Sequence, residues 1–165
     1  YDPRRGHQGR HTGYGRPALP VGTAPYPTGR ACGGAMLVPR AALDRVGLLD
    51  DALFAYAEDV DWSVRARRAG LELLVVPASV VHHRVSAASG GASSPTSVYY
   101  ALRNGLVVAE RYAPLGRLGT LRRRAAAAAA FCVQVLRSGS RRAGLRAVLD
   151  GLRDAASGRL GPRGA

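Results

Sequence analysis

The chain contains no lysine, so all 24 of its basic residues are arginines, set against 11 acidic ones. The resulting formal charge of +13 attracts phosphorylated substrates, anionic lipid or nucleic acid without choosing among them. Aromatic residues are scarce, at 6%. They do not interleave with the arginines as they would on a surface that stacks single-stranded nucleic acid. No helix-turn-helix or zinc-finger spacing is present. The only cysteines are Cys32 and Cys132. They lie far apart, which argues against a disulfide framework and fits a reducing, cytoplasmic compartment. The opening stretch YDPRRGHQGRHTGYGRP lacks the apolar centre of a signal peptide. No run reaches the roughly 18 apolar residues of a membrane span. The nearest, AAAAAAFCVQVL from Ala125 to Leu136, is short and mostly alanine.

What remains is ordinary for a globular chain: 165 residues, about one domain's worth, 47% hydrophobic and 21% charged. Apolar residues are dense from Ala31 to Val85 and from Val98 to Leu136, and no internal repeat is present. Residues 1–30 are rich in Gly, Pro, Arg and His and read as irregular chain. ACGGAMLVPR reads as a short buried strand, and AALDRVGLLDD as a short helix ending near Gly47. A longer helix follows, running to about Ala69, with Gly70 at its C-cap and arginines in its last turns. LELLVVP and SVVHHRVS read as extended segments, and AASGGASSP as a loop. A helix capped by Thr96 or Ser97 stops at Pro114. A second helix carries Arg122 to Arg124 at its entrance. A third is amphipathic through Leu145, Val148, Leu149 and Leu152. The tail RLGPRGA reads as frayed.

Glu58, Asp59 and Asp61 cluster where a loop turns into a helix. Acidic residues suit the positive end of a helix, and Asp61 and Arg65 have the spacing of a surface pair. A catalytic reading rests on three further features. The cluster follows Phe54 and Tyr56, His82 and His83 lie downstream at the end of an apolar strand, and a Ser/Gly loop comes next. Carboxylate with imidazole is a common divalent-metal grouping. A carboxylate so placed can take a proton from a substrate hydroxyl, and a like charge beside it raises proton affinity.

The ordered series GGAMLV, VGLLDDALFAY, EDVDWSVRARRAG, VVP, HRVSAASGG and YYALRNGL lies between Ala31 and Tyr112. It resembles the C-terminal half of the catalytic domain of family-two glycosyltransferases, in the rhamnosyltransferase-like branch of bacterial cell-surface polysaccharide synthesis. The resemblance implies an α/β fold, part of a GT-A mixed sheet with helices, followed by a helical extension. It divides the chain into an irregular segment 1–30, a half catalytic domain 31–113 and an arginine-rich extension 114–165. It implies inverting transfer of a sugar from a nucleotide-sugar to a hydroxyl of a saccharide or lipid-linked acceptor. By analogy Asp59 is the general base, with Glu58, Asp61 and Trp62 on the acceptor side. His83 joins the shell of a divalent metal, Mg or Mn, and His82 is a surface neighbour. Arg65, Arg103 and Asn104 are expected to hold the helix or to contact donor or acceptor.

The sequence departs from this family in one respect. No Asp-x-Asp that would grip metal and diphosphate precedes Ala31. The expectation is a fragment, inactive alone and exposing apolar surface where the nucleotide-binding half would dock. Arg122 to Arg124 beside the alanine run suggest peripheral contact with anionic lipid at the inner face of the membrane. Two rival readings remain: a non-catalytic basic module for anionic lipid or nucleic acid, and a small metal-dependent hydrolase using Glu58, Asp61 and the histidines.

Overall fold

A computed structural model describes residues 20, 22–82, 90–91 and 93–164. The architecture is mixed but mostly helical. Strand β1 is Tyr26–Pro27, helix α1 Arg40–Val46, helix α2 Glu58–Arg68 and strand β2 Leu74–Val75. Three longer helices follow: α3 Pro95–Tyr112, α4 Arg117–Leu136 and α5 Arg141–Ser157.

Local chemistry sets most helix ends. The α1 helix stops at Gly47, which takes φ 87° and donates its amide to Leu43 O at 2.7 Å. The α2 helix runs to a C-cap at Ala69, and Gly70 follows at φ 79°. The α3 helix begins earlier than Thr96 or Ser97. Ser94 is its cap, accepting the Ser97 amide at 3.1 Å. Pro95 suits the first helical position because an amide there has no intrahelical partner.

The predicted strands fare differently. Among the described residues the sheet consists of β1 and β2, antiparallel, with Tyr26 opposite Val75 and Pro27 opposite Leu74. Where ACGGAMLVPR predicts a strand, Gly33–Ala35 form a 3-10 turn and the flanking residues join no ladder. Of LELLVVP only Leu74–Val75 pair. A strand is stabilised by pairing its backbone groups, and among the described residues no further strand lies beside these segments. Leu37 is 95% exposed, and Leu74, Val76, Val80 and Val81 are also exposed.

The core has three parts. Val98, Leu102 and Leu106 of α3 pack with Phe131 and Val135 of α4 and Val148 of α5. Leu53 and Val60 join α2 to Val108 on α3. Trp62, Ala66 and Leu73 gather Ala42, Leu43 and Val46 of α1. Packing between helices therefore runs across residue 113. Within residues 159–164 the tail is held by hydrogen bonds, against the frayed end that the sequence suggests. Gly161 donates to Ala52 O at 2.7 Å, and its carbonyl accepts from Arg103 Nη1 at 2.8 Å. The Arg163 amide donates to the Tyr99 neighbour Tyr100, at its hydroxyl, at 2.8 Å.

Helix α5 approaches its neighbours through glycines. A methyl group on Gly144 would come within 2.6 Å of Val135 Cγ1, and one on Gly151 within 3.2 Å of Tyr99 O. Gly144→Ala is expected to destabilise the helical core by about 1–3 kcal/mol through overpacking. Denaturant unfolding measures this, and stability equal to the parent would refute the close crossing.

Candidate active site at the start of helix α2

The chain enters α2 through a strained loop. Phe54, Tyr56 and Ala57 adopt φ of 63°, 66° and 69° although none is glycine. Each such residue costs on the order of 1–3 kcal/mol and persists only where its surroundings hold it. Asn104 supplies much of that hold. Its Nδ2 lies 2.7 Å from Leu53 O, 2.6 Å from Ala55 O and 2.9 Å from Tyr56 O. Its Oδ1 accepts from Arg103 Nε at 2.7 Å, and Arg103 Nη2 donates to Leu53 O at 3.2 Å.

The loop delivers Glu58 and Asp59 as the first two residues of α2. No side chain caps this helix, so its unpaired amides favour the acids of the first turn. Asp59 is 5% exposed. Its Oδ2 accepts from Arg30 Nη2 at 3.0 Å and from the Gly33 amide at 2.9 Å. The Ala31 amide donates to Ser63 Oγ at 3.0 Å, fastening this segment to α2. Gly33 lies close over the pair. A methyl group there would stand 3.3 Å from Asp59 Cβ and 3.5 Å from Glu58 Oε1. Burial pushes the Glu58 carboxyl above its ordinary value, with the Asp59 charge adding to the rise. Glu58 Oε2 is buried without a hydrogen-bond partner.

Asp61 is fully buried on the inner side of α2. It accepts from Arg65 Nε at 2.8 Å, Arg111 Nη1 at 2.6 Å and Tyr112 OH at 2.7 Å. Burial opposes its ionisation, but these bonds outweigh it and hold the carboxyl below its ordinary value. Arg65 also donates to Val46 O and Leu48 O, at 2.9 and 2.8 Å.

Several residues singled out in the sequence are committed to contacts within the fold. Trp62 is 3% exposed, packs in the α1–α2 core and donates its indole N–H to Gly47 O at 2.9 Å. Asp61 faces inward to Arg65 and Arg111. Arg65 ties α2 to the end of α1. Arg103 and Asn104, 1% and 0% exposed, make hydrogen bonds to the loop and the tail. Local pattern marks an "RN" pair but cannot show which way it points. Arg30 and Gly33, which orient Asp59, are not singled out by the sequence, because their contacts span 29 and 26 residues.

His82 is exposed, and His83 lies outside the described residues. Among the described residues no three His, Cys, Asp or Glu side chains stand close enough to hold a metal ion. Asp59 Oδ2 is engaged by Arg30 and Gly33. The expected divalent metal thus has no ligand set among these residues, and no catalytic step is assigned to one.

Two curated proteins of Mycobacterium tuberculosis resemble part of the chain. They are the N-acetylglucosaminyl-diphospho-decaprenol L-rhamnosyltransferases of strains CDC 1551 / Oshkosh and ATCC 25618 / H37Rv. Each is 42% identical over 59 residues, 35% of this chain and 19% of the relative. The aligned part thus spans about a fifth of the relatives' length, 19%. No family model matches the chain, and no solved structure matches it.

Proposed function

We propose that the chain carries the acceptor-side part of a family-two, GT-A type glycosyltransferase that works with inversion. Its substrates are a nucleotide-sugar and a hydroxyl of a saccharide or lipid-linked acceptor. The observation that carries this reading is the Glu58–Asp59 pair, delivered into α2 by a strained loop that Asn104 clamps. Strain of this kind gathers at functional sites, and the partial likeness to rhamnosyltransferases supplies the reaction class.

In the reaction, the acceptor oxygen forms a bond to the anomeric carbon of the donor sugar. The bond from that carbon to the nucleotide diphosphate breaks, and the diphosphate leaves with the electron pair. The acceptor proton passes to Asp59. Arg30 and the Gly33 amide both bind Oδ2, so they fix the carboxylate's orientation and leave Oδ1 as the proton acceptor. Glu58 beside it shapes the charge felt by the incoming hydroxyl. A second assignment makes Glu58 the base, favoured by its raised proton affinity and its unpartnered Oε2.

The test is a chimera in which residues 31–112 replace the matching segment of a mycobacterial rhamnosyltransferase. Sugar transfer by the folded chimera is the expected result. A folded chimera that binds the nucleotide-sugar yet transfers nothing would overturn the proposal.

A further inference from the structure

Helix α4 has a second apolar face that the fold does not use. Ala127, Phe131 and Val135 turn inward to the helical core. On the opposite side Leu118 is 62% exposed, Leu121 65%, Val133 48% and Leu136 50%. Ala125, Ala126 and Ala129 are exposed between them. From Leu118 to Leu136 this face extends about 27 Å at the helical rise. Helix α4 contains no acidic residue. Exposed arginines mark both ends, Arg117 and Arg122 at one and Arg137 at the other. Of the triad Arg122 to Arg124 only Arg122 is free to face outward. Arg123 donates to Ala113 O at 2.8 Å, and Arg124 grips Glu110 through two bonds at 2.8 and 2.7 Å.

We propose that this face of α4 lies flat on an anionic phospholipid surface. The leucines and Val133 enter the acyl boundary, while the arginines reach up to the lipid phosphates. Among the described residues no helix is long and apolar enough to cross a membrane, so α4 lies along the interface. Charge favours lipid over a second copy of the chain. Both ends of the face are basic, so pairing two copies in either direction sets arginine against arginine. Anionic headgroups complement both ends at once, and combining apolar burial with basic attraction suits interfacial binding.

This inference does not depend on sugar transfer, because vesicle binding needs no nucleotide-sugar. Co-sedimentation of the whole chain with vesicles of phosphatidylcholine and phosphatidylglycerol tests it. The expected result is binding that weakens with added salt and is absent with phosphatidylcholine alone. Leu118→Glu/Leu121→Glu is expected to weaken binding at least about tenfold, as is Arg117→Gln/Arg122→Gln. These side chains are exposed, and circular dichroism should match the parent. Equal binding by the leucine variant overturns the proposal, as does equal binding to neutral vesicles. A parent dimer that the leucine variant dissociates also overturns it, because a second copy then covers the face.

Discussion

Asp59→Asn, placed in the same chimera, is expected to slow sugar transfer by about 10³-fold through loss of the general base. The change is isosteric. The amide oxygen can still accept from the Gly33 amide, so the segment over α2 keeps its anchor. The Arg30 ion pair is lost, and with Arg30 and Asp59 only 24% and 8% exposed on their side chains, water replaces it incompletely. The expected stability cost is therefore about 1–3 kcal/mol. The rate loss should fall on kcat with KM little changed, because the proton is taken only as the acceptor attacks. Glu58→Gln provides the contrast. If it removes activity while Asp59→Asn retains it, the base is Glu58. If both variants transfer sugar at the parent rate, neither carboxylate is the base, and the chemical assignment of this site is lost.

Asn104→Ala is expected to cost about 3 kcal/mol, from buried carbonyls left without donors and a small cavity. Leu53 O keeps Arg103, but Ala55 O and Tyr56 O lose the Asn104 amide. These are the carbonyls of the loop whose non-glycine residues sit at positive φ. Faster hydrogen exchange is expected at the amides of residues 55–57, and lower transfer activity in the chimera. Asn104→Asp separates hydrogen bonding from packing. It keeps the volume but turns two donors toward carbonyls into acceptors, and should destabilise at least as much as alanine. Unfolding curves for both variants decide the matter. An alanine variant within about 0.5 kcal/mol of the parent, the scatter of an ordinary surface change, would show that Asn104 does not hold the loop.

The helices were legible in the sequence because their determinants are local. Gly47 and Gly70 stop α1 and α2 by adopting positive φ, whereas on α5 the predicted apolar face is only partly buried: Val148 lies in the core, but Leu145 and Leu149 are exposed and the small residues Gly144, Ala147 and Gly151 pack instead. The carboxylate pair at the mouth of α2 was legible for the same reason, since acidic residues in a first turn mark a helix start. The strands were not, because an apolar run such as ACGGAMLVPR becomes a strand only where a neighbour pairs with it. The sequence by itself determined the ends of α1 and α2, the basic charge and the Glu58–Asp59 pair. Tertiary structure alone decided that Asp59 meets Arg30 and Gly33, that Asp61 and Trp62 turn inward, and that Arg103 and Asn104 brace the loop. Those contacts join residues some 15 to 50 positions apart. No local pattern encodes which way a buried side chain points once distant segments pack together.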